Sequence, residues 1–230
     1  MIELETLRGG LIVSCQAPDG SPLRDPGIIA AIAEAATMAG AAAVRINSVS
    51  HVAAVRERVR VPIIGIEKKT INDAQWITPT VDHARALVDA GADIVALDAT
   101  RRPRPGTPRV EDLLRGIRDL GIPVMADIDN LEAGIYAREL GAELVGTTLS
   151  GYTSHPQNRT GDPDIPLVRA LAEASVPVVA EGRFKSPAEV AAAFAAGAFA
   201  VVVGTSITEP MALTRRFLTA QPTLTKGVAE

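Results

Sequence analysis

GADIV, residues 91–95, decides the fold, because the pattern Gly-Ala-x-x-Val occurs four times in this chain. The other copies, GAAAV, GAELV and GAFAV, begin at residues 40, 141 and 197, so the repeats lie roughly 50 residues apart. Each copy follows an Ala/Glu-rich amphipathic stretch, and a glycine there ends a helix because it accepts left-handed backbone. The branched residues after it are typical of a parallel strand buried on both faces.

A second pattern interleaves with the first: VPIIGI at 61–66, IPVMAD at 122–127 and VPVVAE at 176–181. Its proline occupies the first strand position, where a missing N–H donor costs least. Adding LIVSC at 11–15, the sequence predicts eight strands, with a plausible helix in at least six of the intervals between them. These strands are expected near 11–15, 42–46, 61–66, 93–97, 122–127, 143–147, 176–181 and 199–204.

Strands that alternate with helices imply right-handed βαβ units. Eight such units in 230 residues predict an α/β fold, a single-domain (β/α)8 TIM barrel of the phosphate-binding type. We place the barrel at residues 1–222 and a frayed C-terminal tail at 223–230. A doubly wound open sheet is the alternative, but the Gly-x-Gly-x-x-Gly turn expected after its first strand is absent from LIVSCQAPDG.

Composition and charge limit the kinds of molecule that this protein is expected to bind. The net charge is −4 and the sequence has no basic cluster, so the electrostatic signature of a nucleic-acid-binding protein is missing. A small anionic substrate would therefore need a local positive site. Cys15 is the only cysteine, which rules out an intrachain disulfide and favours a reducing compartment.

The sequence gives no indication of a membrane segment. The N-terminus does not resemble a signal peptide. The longest uncharged run, 190–208, is about long enough to span a bilayer, but Gly197 and Gly204 interrupt it. We interpret this run as helix, turn and strand, and we expect a soluble, cytoplasmic protein without membrane contact.

Polar and charged residues follow almost every predicted strand. In a (β/α)8 barrel the carboxyl ends of the strands carry the chemistry, and all of them open into one mouth. A single polar residue at a strand end is more often structural than catalytic, whereas a set that includes a lysine, an arginine and several carboxylates indicates a site. The set is Ser14–Gln16, Arg45–Asn47, Glu67–Lys69, Asp98–Thr100, Asp127, Thr147–Thr148, Glu181–Arg183 and Gly204–Ser206.

The loops after strands 7 and 8 are the usual phosphate site of such barrels. Here they read EGRF and GTSIT. Gly182 and Gly204 would let backbone N–H groups approach an anion, Thr205 or Ser206 would start a short helix aimed at it, and Arg183 would add a fixed charge.

The lysine after strand 3 presents an ambiguity. Alternation along a strand sends Lys68 to one side and both Glu67 and Lys69 to the other, and alternation alone does not identify the inner side. A lysine acts as a base near neutral pH only if burial or a nearby cation lowers its pKa, whereas a nearby carboxylate raises it. The mouth offers both Arg45 and Glu181, so the sequence leaves that balance open.

Nine motifs, in order over residues 7–210, resemble the N-acylglucosamine-6-phosphate 2-epimerase family. SGYT and VSCQA are the most specific parts of this resemblance. The motifs are LIVSCQA (11–17), VRIN (44–47), PIIGIEKK (62–69), ITPT (77–80), ADIVALDAT (92–100), MADIDNLEAG (125–134), GTTLSGYT (146–153), VVAEGR (178–183) and AVVVGTSIT (200–208).

The resemblance implies an isomerase that interconverts N-acetylmannosamine 6-phosphate and N-acetylglucosamine 6-phosphate in amino-sugar and sialic acid catabolism. It implies that Lys68 and Glu181 form the catalytic pair, with Lys68 facing the mouth and Glu67 facing away. Lys68 would remove and return the proton on C2 of the open-chain sugar, while Glu181 assists the transfer or holds the amine.

The remaining expected substrate contacts follow from this reaction and from the residues at the mouth. Gln16 or Arg45 would stabilise charge on the C1 oxygen, and Asp127 would bind sugar hydroxyls. Gly182, Arg183, Gly204 and Thr205 would hold the 6-phosphate. The reaction needs no cofactor or metal, and no spacing of His, Cys and Asp suggests a metal site; of the histidines, only His155 is a candidate to reach the mouth.

The chain departs from the family pattern in places. Many relatives carry an arginine where this chain has Glu209, and the polar loop 154–164 is either a lid or disordered. Two other functions stay open: a Schiff-base aldolase or synthase with Lys68 as nucleophile, and a non-catalytic barrel that binds a sugar phosphate. A homodimer is possible, because Ala-rich outer helices can pack closely against a partner.

Overall fold

The computed structural model describes residues 2–104, 106–153 and 161–221. Eight parallel strands close into a barrel in which each strand pairs with its neighbours in chain order and the last pairs with the first. The predicted (β/α)8 barrel is therefore confirmed, and the open-sheet alternative is wrong. The barrel strands are β1 (Leu11–Cys15), β2 (Ala43–Asn47), β3 (Ile63–Ile66), β6 (Ile94–Asp98), β7 (Val124–Asp127), β8 (Leu144–Gly146), β9 (Val178–Glu181) and β10 (Ala200–Val203).

Helices cover the outside of the barrel, one in each interval between consecutive barrel strands. The run 190–208 divides into helix, turn and strand as predicted, and a short helix follows the strand at its end. The helices are α1 (Pro26–Met38), α2 (Val49–Arg58), α3 (Val81–Asp89), α4 (Val110–Arg118), α5 (Leu131–Glu139), α6 (Ile165–Glu173) and α7 (Pro187–Ala195), followed after β10 by α8 (Thr205–Thr208) and α9 (Pro210–Leu218).

The repeated glycines end helices as the sequence predicts. Gly91 has φ +104°, its N–H donates to Val88 O, and the N–H of Ala92 donates to Leu87 O. This is the Schellman arrangement, which satisfies the last carbonyls of α3. The glycines that open the other three repeats also have positive φ angles, so each repeat is one helix end joined to one buried strand.

Two apolar layers hold the barrel together. Side chains that point inward, such as Ile64, Ile94 and Val202, fill the centre, and the short 3₁₀ helix Leu4–Leu7 closes the bottom with the fully buried Leu7. Outward-pointing strand residues pack against the helices. The barrel is thus a packed core with one open end, the mouth at the carboxyl ends of the strands.

A two-stranded antiparallel hairpin, which the sequence reasoning did not anticipate, rises from the mouth between β3 and β6. It consists of β4 (Lys68–Ile71) and β5 (Ala74–Ile77). Asn72 and Asp73 form its turn with φ angles of +49° and +60°, the left-handed pair that a two-residue type I′ hairpin requires.

Two expectations concern segments that are only partly described. The predicted tail, 223–230, and His155 lie outside the described residues, as does most of the loop 154–164. Within the ranges that are described, no helix combines the length and the apolar composition that crossing a bilayer would need.

Candidate active site

The mouth of the barrel contains a cavity of about 960 Å³. Most of the residues that the sequence assigned to a site lie on its wall. They are Gln16, Arg45, Lys68, Glu181, Gly182, Arg183, Gly204 and Thr205. Asp127 is the exception: its side chain is fully buried beneath the wall.

A buried ion cluster forms the floor of this cavity. Arg45, on β2, donates from Nη2 to Asp127 Oδ2 at 2.6 Å and from Nη1 to Asp127 Oδ1 at 3.1 Å. The same Nη1 lies 2.9 Å from Glu181 Oε2. The side chain of Arg45 is 1% exposed and that of Glu181 is 13% exposed, so this guanidinium holds both carboxylates in a largely water-free setting.

Thr148 links the two carboxylates. Its hydroxyl oxygen lies 2.6 Å from Asp127 Oδ1 and 3.1 Å from Glu181 Oε2. The neighbouring Thr147 fixes the backbone of Glu181, because its hydroxyl donates to Glu181 O and accepts from Glu181 N. The end of β8 therefore positions the glutamate at the end of β9.

Lys68 lies at the start of the hairpin, on the cavity wall. Its backbone N–H donates to Asn47 Oδ1 at 3.0 Å, which ties the hairpin to the end of β2. Glu67 is turned away from the cavity: its carboxylate accepts from Val49 N and pairs with Lys69 at 2.7 Å. The structure thus places Lys68 and Glu67 as the resemblance implied, although Lys69 also contributes to the cavity wall.

The environment of the cavity shifts the pKa values of Lys68 and Glu181 in opposite directions. Burial lowers the pKa of Lys68, and the charge of Arg45 lowers it further, while Glu181 and Asp127 offset part of this effect. Burial raises the pKa of Glu181, and this outweighs the opposing charge of Arg45. A lysine and a glutamate whose pKa values move toward each other are suited to exchange protons near neutral pH.

The loops after β9 and β10 form the opposite side of the mouth. Gly182 has φ +114°, and α8 begins directly after Gly204. The first N–H groups of a helix have no partner within it, so those of Thr205 and Ser206 are available to an anion. Thr208 secures this turn by donating to Ser14 O at 3.0 Å.

The guanidinium of Arg183 is partly engaged by the protein itself rather than being free to bind a phosphate. Its Nε donates to Asp162 O and its Nη1 to Ser150 O, and the guanidinium lies 5.2 Å from the centre of the Tyr152 ring. Its backbone φ is +63°, which is uncommon for a residue with a side chain. Arg183 therefore joins the loop after β9 to the SGYT segment while its charge remains at the cavity wall.

Gln16 also lines the cavity, and its amide donates to Ser14 Oγ at 2.7 Å. Among the described residues, no group of three or more His, Cys, Asp or Glu side chains is arranged to hold a metal ion. Sequence reasoning gave no role to two features that shape the site: Thr148, which it named only as a strand end, and the hairpin. The Asn72–Asp73 pair, which lies between Ile71 and Ala74 and shortly before Trp76, was the clue to the hairpin.

The fold and the site define a class: (β/α)8-barrel enzymes in which charged and titratable side chains converge at the carboxyl ends of the strands. Comparison with known proteins gives the family. The profile of a family described as "Putative N-acetylmannosamine-6-phosphate epimerase" matches residues 29–222. The chain belongs to this N-acetylmannosamine-6-phosphate 2-epimerase family.

Comparisons with individual proteins give the same family. The chain is 46% identical over 220 residues to a "Putative N-acetylmannosamine-6-phosphate 2-epimerase" of Caldanaerobacter subterraneus subsp. tengcongensis, covering 94% of this chain and 92% of the relative. A relative of the same name from Thermosynechococcus vestitus is 53% identical over 205 residues, covering 88% and 89%. The solved N-acetylmannosamine-6-phosphate 2-epimerase from Clostridium perfringens superposes with a TM-score of 0.90 at 40% identity, covering 95% of this chain and 96% of that one.

Proposed function

We propose that this protein is a cofactor-independent isomerase that interconverts N-acetylmannosamine 6-phosphate and N-acetylglucosamine 6-phosphate in amino-sugar and sialic acid catabolism. The observation that carries the proposal is that Lys68 and Glu181 line one cavity and interact electrostatically there, with the pKa of Lys68 lowered and that of Glu181 raised. Membership of the epimerase family supports the same reaction.

The chemistry takes place at C2 of the open-chain sugar. The C1 aldehyde acidifies the hydrogen on C2, and Lys68, as the neutral amine, takes this proton while the C–H electron pair forms a C1–C2 double bond and leaves charge on the C1 oxygen. The enolate is planar at C2, so a proton returned to the opposite face gives the epimer. Glu181 would relay the proton or hold the amine, and the raised pKa lets it carry a proton near neutral pH.

Arg45 and Gln16 are the proposed donors to the developing charge on the C1 oxygen. Arg45 supplies a fixed positive charge at the cavity floor, and such preorganised charge stabilises an oxyanion. Asp127, predicted to bind sugar hydroxyls, has both oxygens engaged by Arg45 and Thr148. Its buried position favours a positioning role, in which it aims Arg45.

The 6-phosphate would lie at the turns after β9 and β10. Gly182 and Gly204 allow the backbone to approach it, Thr205 offers a helix-start N–H, and Arg183 adds positive charge from the wall. Glu209 also lines this side of the cavity, so the backbone and Arg183 would provide the main attraction.

The test is an NMR assay of the purified protein with N-acetylmannosamine 6-phosphate in deuterated water, beside a Lys68→Ala variant. We expect conversion with deuterium at C2 in the unsubstituted protein only. Conversion in both proteins would move the base to another residue, and the absence of both conversion and exchange in the unsubstituted protein would refute the proposal. Borohydride trapping with substrate separates it from the Schiff-base alternative, because C2 proton transfer forms no imine for borohydride to reduce.

We further propose a cytoplasmic homodimer. A sugar phosphate is charged and does not cross a bilayer unaided, so the enzyme belongs in the compartment where its substrate is made.

Helix α9 has no buried residue and exposes Met211, Phe217 and Leu218, an apolar surface that a second copy would cover. Light scattering should give twice the mass of one chain, and Phe217→Asp should halve it; a monomer in the unsubstituted protein would refute the dimer.

A further inference from the structure

Arg102 lies on the cavity wall beside the hairpin and is held rigidly from below. Its Nη2 donates to Asp98 Oδ2 and to Gln75 O, both at 2.6 Å. The guanidinium carbon lies 3.8 Å from the centre of the Trp76 ring. Because Asp98 is fully buried and Trp76 is 2% exposed, the guanidinium is fixed by a buried carboxylate, a backbone carbonyl and an aromatic face.

These contacts leave one edge of the guanidinium open. Both hydrogen bonds use Nη2, and Nε is buried without a partner in the described part of the chain. Within the described residues, Nη1 makes no hydrogen bond, and it is not among the buried nitrogen atoms that lack one. Nη1 is therefore solvent-accessible, in a side chain that is 22% exposed and lines the cavity. A donor fixed in this way needs little ordering when it binds an acceptor.

The barrel places this donor opposite the proposed phosphate site. In the order of strands around the barrel, the pair β9 and β10 faces the pair β6 and β3 across the mouth. The phosphate would lie at the first pair, while Lys68 follows β3 and Arg102 follows β6. A sugar whose C6 phosphate occupies the first side therefore extends its C1–C2 end toward the second.

We propose that Arg102 Nη1 binds the acyl carbonyl oxygen of the substituent on C2, so that Arg102 selects 2-acylamino sugar phosphates. The inference rests on the proposed function, which places C2 beside Lys68. A neutral amide offers the guanidinium a carbonyl acceptor, whereas a free amino sugar would bring an ammonium group against it and be repelled. A sugar with a hydroxyl group at C2 lacks the carbonyl altogether.

The test compares two open-chain ligands that cannot react, because they lack the C1 aldehyde: 2-acetamido-2-deoxy-glucitol 6-phosphate and glucitol 6-phosphate. Calorimetry gives both dissociation constants for the unsubstituted protein and for Arg102→Met. Arg101→Met is the matched control: Arg101 pairs with Glu132 and stacks on Tyr136, away from the cavity wall.

We expect the unsubstituted protein to prefer the acetamido ligand, and Arg102→Met to reduce that preference by about 10- to 100-fold, the value of one hydrogen bond to a charged group. Arg101→Met should keep the preference. Arg102→Lys guards against misfolding, because its ammonium can still pair with Asp98 but does not present a second fixed donor at the cavity edge. It should therefore lose the preference while keeping the melting temperature.

Three results would overturn the inference. These are no preference in the unsubstituted protein, a preference that survives in both Arg102 variants, and an equal loss of affinity for the two ligands. The NMR exchange assay separates this failure from that of the proposed function. Exchange at C2 with any of these results removes only the role of Arg102, whereas absence of exchange removes the proposed reaction.

Discussion

Asp127→Asn tests whether the buried ion cluster is organised as described. The substitution keeps the shape of the side chain but removes its charge, and only one oxygen remains to accept hydrogen bonds. In the native protein Asp127 accepts two hydrogen bonds from Arg45, at 2.6 and 3.1 Å, and one from Thr148 at 2.6 Å. The side chains of Arg45 and Asp127 are 1% and 0% exposed, so water cannot replace the lost partner.

Breaking a buried pair by removing one charge costs about 3–5 kcal/mol of the free energy of unfolding. For a chain of this size, that corresponds to a fall in melting temperature of about 6–20 °C. Thermal unfolding followed by circular dichroism measures it. Asp93→Asn is the matched control, because Asp93 pairs with Arg56 at 2.9 Å in a partly exposed setting of 27% and 35%, where about 1 kcal/mol or less is expected.

The same variant should also change the pH dependence of C2 exchange. Asp127 raises the pKa of Lys68, so its neutralisation lowers that pKa further, and the pH at which exchange rises should move down. If Asp127→Asn costs no more stability than Asp93→Asn, the cluster is not the tightly coupled unit that the distances indicate, and the reasoning is refuted.

Three further predictions concern the same floor. Glu181→Gln should abolish exchange, and its melting temperature relative to the native protein should be higher at pH 8 than below pH 4.5, the ordinary pKa. The reason is that burial raises the pKa of Glu181, so its charged form, present at pH 8, disfavours folding. An equal difference at both pH values would contradict this. Lys68→Met should increase the free energy of unfolding near neutral pH, because burial lowers the pKa of Lys68 and its charged form therefore disfavours folding. This advantage should be lost above pH 10.5, the ordinary pKa. Urea titrations at several pH values measure the difference in the free energy of unfolding. Gly146→Ala should slow exchange, because the added Cβ would lie 2.4 Å from Met125 Cε and 2.9 Å from Asp127 Oδ1; unchanged exchange kinetics would show that the cluster tolerates displacement.

The sequence was sufficient for the barrel because its evidence is local. Each Gly-Ala repeat joins a helix end to a buried strand, and strand β1 was predicted with its observed bounds, Leu11–Cys15. Most other predicted strands begin one or two residues too early, as at 176–181 against Val178–Glu181. The proline carbonyls at 62, 123 and 177 still accept a hydrogen bond from the neighbouring strand, but proline has no N–H to donate, so the regular ladder begins at the residue after it.

The side-chain contacts across the mouth could not be predicted from local sequence patterns. Thr148 bridges Asp127 and Glu181 only because the register pairs Asp127 with Gly146 and Gly146 with Val179 across three neighbouring strands. Arg102 was overlooked because it follows its strand by several residues. It reaches the cavity only through the hairpin, whose Gln75 carbonyl it binds.

The arrangement of the floor gives Asp127 a chemical purpose despite its distance from the cavity wall. A buried guanidinium without compensation would be costly, and burial alone would lower the pKa of Arg45; Asp127 and Glu181 outweigh that effect and keep Arg45 charged. The fixed charge of Arg45 in turn lowers the pKa of Lys68 and opposes, without cancelling, the rise in the pKa of Glu181. By keeping Arg45 charged and in place, the buried pair with Asp127 thereby helps to set the pKa values of the two groups that would move the C2 proton.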